Sequence, residues 1–298
     1  METNVESNTA INKKIGRRSR TKECLQLVIR NKAALIGLII IILLILIAIL
    51  GKLFMPYNPY VGDLSQSLQG PSYNHILGTD EQGRDILSRI IDGTKISLRV
   101  GVTSVAIALS IGTVVGSIAG YYGGKIDTIL MRIMDIVLAF PSLLLAIAFM
   151  SALGKGIDKA VIAISIVTIP EYARIVRGCI FSVKENEYVQ AAKVIGNSDI
   201  KIIFKHILPN IMSPIVVRAT LGISTAILET SALGFLGLGV QPPLAEWGSM
   251  LGAGRGYFYN APHIVLFPGI AITITVLAFN LFGDGLRDAL DPKLKNRG

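Results

Sequence analysis

Long apolar runs without a charge alternate with polar stretches along this 298-residue chain. Ala33–Leu50, Val100–Gly124, Ile136–Gly154 and Ile264–Gly283 contain no charged side chain. A helix of about 20 apolar residues crosses a bilayer, so each run predicts a transmembrane span. Two further candidates are less clean. Ala160–Pro170 is short and sits between Lys159 and Glu171, and Met212–Gly239 is interrupted by Arg218 and Glu229. Lys159 can snorkel outward, which lets the shorter run cross. Counting both predicts six transmembrane helices in an all-α integral membrane protein. A membrane β-barrel would alternate apolar and polar residues instead.

The polar stretches divide the chain further. The expected parts are a flexible basic tail (1–32), a first transmembrane helix (33–51), an extracytoplasmic loop (52–95), a five-helix core (96–283) and a second tail (284–298). Within the core, 179–210 forms a basic cytoplasmic loop. The first helix is read as retained, because its apolar core is too long for a signal peptide and Lys52-Leu53-Phe54, not an A-x-A-like site, follows it. In the outer loop, Ile86, Leu87, Ile90 and Ile91 recur at helical spacing and predict a short amphipathic helix leading into the second span. In that span Gly112, Gly116 and Gly120 put small residues on one face, which suits close helix packing.

Composition agrees with a membrane protein: 51% of residues are hydrophobic and the mean hydropathy is +0.58. The net charge of +9 is unevenly placed. Eight Lys/Arg lie in residues 1–32, six between Glu171 and Asn210, and four after Gly283. The loop Gly51–Lys95 balances four bases with five acids. The positive-inside rule then places both termini and the 179–210 loop in the cytoplasm, which suits an even number of spans. The basic excess is a topology signal, and no nucleic-acid partner is implied. Cys24 and Cys179 fall on the predicted inner side and have no His or Cys at metal-ligand spacing, so both are read as inert thiols.

The inner loop has local order of its own. Tyr188, Val189, Ala191, Ala192 and Ile195 share a helical face, and Gly196 is a natural stop. Ser198 and Asp199 suit the start of a second short helix, and Pro209 ends it. The outline is helix, turn, helix, but the loop is too short for a DNA-binding domain and is tethered to the bilayer at both ends.

Several chemical readings fail. Gly78–Asp85 is a near miss to a phosphate-binding loop, with Arg84 in place of Lys and Asp85 where a hydroxyl should hold Mg²⁺. An acid there repels phosphate. His75, Asp80, Glu81 and Asp85 lack the spacing of a metal site, so no metal is assigned. No catalytic constellation is evident, and the protein is read as a non-enzyme. Glu229 is the sharpest intramembrane anomaly: either a pathway or gate residue, or a carboxylate near the outer interface paired with a helix end. Arg218, eleven residues earlier and about 16 Å away along a helix, cannot reach it.

The segment YVQAAKVIGNSDIKIIFKHILPN (Tyr188–Asn210) resembles the EAA motif of ABC importer permeases. The pattern is E-A-A, three residues, Gly, nine residues, I-x-L-P, and Ala191, Ala192, Gly196, Leu208 and Pro209 match it. Gln190 stands where the family often has Glu, and His206 where it often has Ile. The first departure weakens a charged contact to an ATPase and leaves apolar docking through Val189, Ala192 and Ile195. His75–Gly101, Met131–Ala148, Leu233–Leu251 and Phe267–Pro292 are similar to the C-type permease of dipeptide, oligopeptide and nickel importers.

This resemblance implies a type I importer permease in the plasma or inner membrane of a prokaryote. It implies a second, B-type permease as heterodimeric partner, two cytoplasmic ATPase subunits that hold the ATP and Mg²⁺, and an extracytoplasmic solute-binding protein. Tyr188–Asn210 would couple ATP hydrolysis to alternating access. Di- or oligopeptides are the expected solute and nickel the alternative. A secondary transporter or channel is the competing class, but Glu229 alone offers it an ionisable group and no inverted repeat is visible.

Overall fold

The computed structural model describes residues 26–290. Cys24 and most of both expected tails lie outside them. The described chain is helical and contains no strand; an isolated bridge pairs Thr79 with Asp85.

Residues 26–30, inside the expected flexible tail, form a helical turn whose Val28 packs on Ala34 and Ala289. Asn31 then caps α1 (Lys32–Leu50), its Oδ1 accepting from the N–H groups of Ala33 and Ala34 at 3.1 and 3.3 Å. The amphipathic helix and second span expected separately are one helix, α2 (Ile86–Tyr122, 37 residues). It begins where Asp85 accepts from the backbone N–H of Ser88 at 2.8 Å and ends at Gly123.

The third expected span, Ile136–Gly154, is broken. α3 (Gly124–Leu138) and α4 (Ser142–Leu153) meet at 88° across Ala139-Phe140-Pro141. Pro141 lacks an N–H and disfavours helix in the residue before it, so a continuous helix stops there. α5 (Ile157–Val183) follows after a short turn and extends well beyond the run Ala160–Pro170, with Pro170 inside it. α6 (Glu187–Val194), α7 (Met212–Phe235), α8 (Trp247–Gly254) and α9 (His263–Leu290) complete the described fold. α9 runs through the expected start of the second tail at residue 284.

Among the described residues, α1 (extended to Leu53 by a 3₁₀ turn), α2, α7 and α9 are each long and apolar enough to span a membrane, and α3–α4 makes a fifth crossing if the bent pair is one span. α5 is long enough but carries Glu171, Arg174 and Arg177. α2 packs along α5, with α7 beside both and α9 between α7 and α1.

The small-residue face of α2 meets α5. A Cβ on Gly112 would lie 2.6 Å from the Tyr172 Cβ, and one on Gly120 would lie 2.9 Å from the Ile180 Cβ. Bulk on either glycine would push the helices apart. Around this contact Val105, Ala108, Ile164 and Val167 form the central core, with Ala146 and Met150 from α4.

The segment before α2 is held by polar contacts. Asp80 accepts from Arg84 Nε at 2.7 Å, Asp85 from Ser88 Oγ at 2.7 Å, and His75 Nδ1 lies 2.9 Å from Asp85 Oδ1. These partners engage Asp80, Asp85 and His75 within the protein. Burial, with the adjoining Asp92 carboxylate, pushes the Tyr60 phenol up to about 12.

Candidate coupling site

The polar stretch between α5 and α7 folds into a compact hairpin. Val189 and Ala192 of α6 turn inwards onto Val176 and Ile180 of α5 and Ile211 and Ile215 at the start of α7. Gly196 ends α6 with φ +81°, a left-handed conformation that costs a side-chain-bearing residue about 1 kcal/mol or more. Asn197 closes the turn, its backbone N–H and its Nδ2 both donating to the Ala192 carbonyl, at 3.2 and 3.1 Å.

The second half departs from the regular helix expected after Ser198. Ser198 makes no side-chain cap. Asp199–Lys201 is α-helical, Ile202–Ile207 widens into a π turn, and Leu208–Asn210 narrows into a 3₁₀ turn containing Pro209. Ile202, Ile203 and Ile207 are all buried along this wider turn. Asn210 Nδ2 donates to the His206 carbonyl at 2.6 Å. Leu208 packs on the hairpin core, and His206 is half-buried.

The docking face expected on Val189, Ala192 and Ile195 is therefore divided. Ile195 is 79% exposed, while Val189 and Ala192 are interior and hold the hairpin to the spans. Beside Ile195 the surface presents Val194, Ile200 and Phe204, and Tyr188 and Ala191 lie on the exposed side of α6. Sequence periodicity missed Val194, Ile200 and Phe204 because one helical face was assumed to run outward, whereas the hairpin uses that face for its own core. Gln190 donates from Nε2 to Glu185 Oε2 at 3.1 Å. A carboxylate at 190 would repel Glu185, which gives the departure from E-A-A a local reason.

Tyr121, at the C-terminal end of α2, donates to Asp199 Oδ1 at 2.8 Å, and Lys193 lies over its ring with Nζ 5.4 Å from the centroid. The hairpin thus grips three helices, α2, α5 and α7. A push on it reaches all three through packed contacts.

Glu229 sits on α7, 9% exposed, beside Ser142 at the start of α4, and its Oε2 has no hydrogen-bond partner. Arg218 pairs with Glu171 of α5 and not with Glu229. Glu246 is a fully buried carboxylate that hydropathy did not single out. Its Oε1 and Oε2 accept from the backbone N–H groups of Gly248 and Ser249, both at 2.8 Å, capping α8. Burial, against the pull of these bonds, raises its carboxyl to about 7. The acid at the second position of AEWG, immediately before the helical run that starts at Trp247, is the cap signal that was available in the sequence.

A helical membrane scaffold with a hairpin built to the EAA spacing defines the class, and comparison with known proteins gives the family. Residues 112–296 match the family described as binding-protein-dependent transport system inner membrane component, and residues 19–71 match the N-terminal TM domain of oligopeptide transport permease C. The dipeptide transport system permease protein of Alkalihalophilus pseudofirmus is 52% identical over 275 residues, covering 92% of this chain and 90% of that protein. The di/tripeptide transport system permease protein of Pseudomonas aeruginosa is 45% identical, covering 93% and 94%. The glutathione transport system permease protein of Pectobacterium atrosepticum is 46% identical, covering 94% and 93%. Among solved structures, a chain of the MetNI methionine ABC transporter in an inward-facing conformation shares the fold, with a TM-score of 0.57 at 18% identity over 69% of this chain and 98% of that one. The chain belongs to the family of binding-protein-dependent transport system inner-membrane components and is a transport permease of the cell membrane.

Proposed function

We propose that this chain is the C-type permease of an ATP-driven importer of di- and oligopeptides. It forms half of the translocation pathway beside a B-type permease. Two cytoplasmic ATPase subunits dock on the coupling loops of the two permeases, one of them the Tyr188–Asn210 hairpin of this chain, and an extracytoplasmic binding protein delivers the peptide. The chain crosses the membrane six times, through α1, α2, the bent pair α3–α4, α5, α7 and α9, with both termini inside. ATP and Mg²⁺ belong to the ATPases, and this subunit supplies movement, not chemistry.

The observation that carries the coupling role is the exposed apolar cluster Val194, Ile195, Ile200 and Phe204 on a hairpin rooted in three helices. A solvated loop has no use for four such side chains, whereas a partner that covers them gains from their burial. Alternating access needs contacts that differ between two states. ATP-driven closure of the ATPases, pressing on this cluster, supplies that difference.

Peptide as solute is supported by the names of the relatives above. The test is uptake of labelled di- and oligopeptides and of ⁶³Ni²⁺ by source cells with and without this gene. Loss of peptide uptake alone is expected. Loss of nickel uptake alone would overturn the solute class while leaving the permease architecture.

A further inference from the structure

We infer that a row of three ion pairs on the inner half of α5 lines the aqueous pathway and contacts the charged ends of the solute, an inference that rests on the peptide reading for the solute's identity. Glu171, Arg174 and Arg177 recur at intervals of three and share one face of α5. Each meets a partner from another helix. Glu171 pairs with Arg218 of α7, Arg174 with Asp135 of α3 at 2.7 Å, and Arg177 with Asp127 of α3.

Their depth follows from the α2–α5 contact. Gly112, at the centre of the charge-free run Val100–Gly124, lies against Tyr172, and Gly120 lies against Arg177. The Glu171–Arg218 pair is therefore level with the middle of that charge-free run. The other two pairs follow inward at steps of about 4.5 Å, three residues of helical rise each.

These charges are not all enclosed. Arg174 and Asp135 are 57% and 51% exposed, Arg218 and Glu171 keep 27% and 38%, and Arg177 and Asp127 keep 32% and 13%. Lipid cannot cover half-exposed charges at this depth, because ionisable side chains within spans face protein interiors or water. A second subunit packed flat on the row would strip water from charges already paired, a desolvation that can exceed what the pairs recover. Water on their free side costs nothing of the kind. A zwitterionic peptide is also complementary to the row. Its ammonium can replace Arg174 at Asp135, and its carboxylate can replace Asp135 at Arg174 as a paired acceptor.

The test uses tagged permease in inside-out vesicles of source cells that carry the whole importer, with Cys24→Ser and Cys179→Ser as background. Asp135→Cys and Arg174→Cys are exposed to an anionic, membrane-impermeant methanethiosulfonate, with Ile133→Cys as the apolar-face control. Both row cysteines are expected to react about tenfold or more faster than the control, equivalent to a barrier difference of about 1.4 kcal/mol. Dialanine should slow them. Rates as slow as the control would overturn the inference, placing the row against lipid or a neighbouring subunit. Rapid reaction that dialanine leaves unchanged would overturn the solute contact.

A second variant guards against misfolding. Asp135→Arg with Arg174→Asp keeps the pair and reverses its polarity. Peptide uptake should fall severalfold at unchanged permease level, and unchanged uptake would show a purely structural pair and overturn the inference. Peptide uptake by the unsubstituted protein is measured in parallel. Its absence, with water-reactive row cysteines, would sink the peptide reading and leave the aqueous row standing.

Discussion

A Cβ placed on Gly116 would lie 2.4 Å from the carbonyl oxygen of Ala173, so α2 and α5 meet backbone to backbone at this level. Neither atom is at the end of a flexible side chain, so added bulk must separate the helices. Gly116→Leu is expected to destabilise the protein by about 1–3 kcal/mol, the usual cost of overpacking, or to prevent its accumulation. Thermal unfolding in detergent and membrane abundance check this. A variant as stable as the parent would show that the two helices have room to shift.

The exposed hairpin cluster can be separated from the buried one by mutation. Val194→Asp and Phe204→Ser should abolish ATP-driven uptake while leaving permease abundance unchanged, because both side chains are open to a partner. A docking hot spot is worth about 2 kcal/mol, so uptake should fall more than tenfold. Ala192→Asp should instead lower abundance, because it puts a carboxylate into the hairpin core. Comparison of uptake with immunoblotted permease distinguishes the two outcomes.

Gly196 tests the turn alone. The space around a Cβ there is open, so the cost of a substitution is conformational. Gly196→Val should cost the hairpin about 1–2 kcal/mol through the left-handed backbone, with a larger loss of uptake than of abundance. Gly196→Asn, which tolerates that conformation better, should retain more uptake than the valine variant.

Glu246 makes stability depend on pH. Its folded value, about 7, lies above the ordinary carboxylate value of 4.5 because burial disfavours the charge. A raised folded value favours the folded state while the group is protonated. That stability is fully present below about pH 4.5 and is lost as pH rises through about 7, by about 3 kcal/mol in total. Melting temperature in detergent should therefore fall between pH 5 and 7 from this group, and Glu246→Gln should flatten that part of the profile. An equal slope in the variant would place the pH dependence elsewhere.

The segment before α2 offers a stability prediction of a simpler kind. Asp85 accepts from the backbone N–H and Oγ of Ser88 and contacts His75. Asp85→Ala should cost about 1–2 kcal/mol by removing the α2 cap, read as a lower melting temperature with the helical content of the spans retained.

Hydropathy alone determined that this is a helical membrane protein, because apolar runs of bilayer length need no long-range contact to declare themselves. The hairpin's outline was legible for the same reason, since Gly196 and Pro209 act on their own backbones. Tertiary structure decided what a one-dimensional pattern cannot encode. Ile136–Gly154 reads as one apolar run, yet its two parts meet at 88° across Pro141. Val189 and Ile195 are equally apolar in sequence, and only packing against Val176 and Ile215 turned one inwards and left the other exposed. Arg218 looked unpaired because its partner Glu171 lies 47 positions away, on another helix. Pairing across helices depends on which faces the fold brings together, and local sequence carries no record of that.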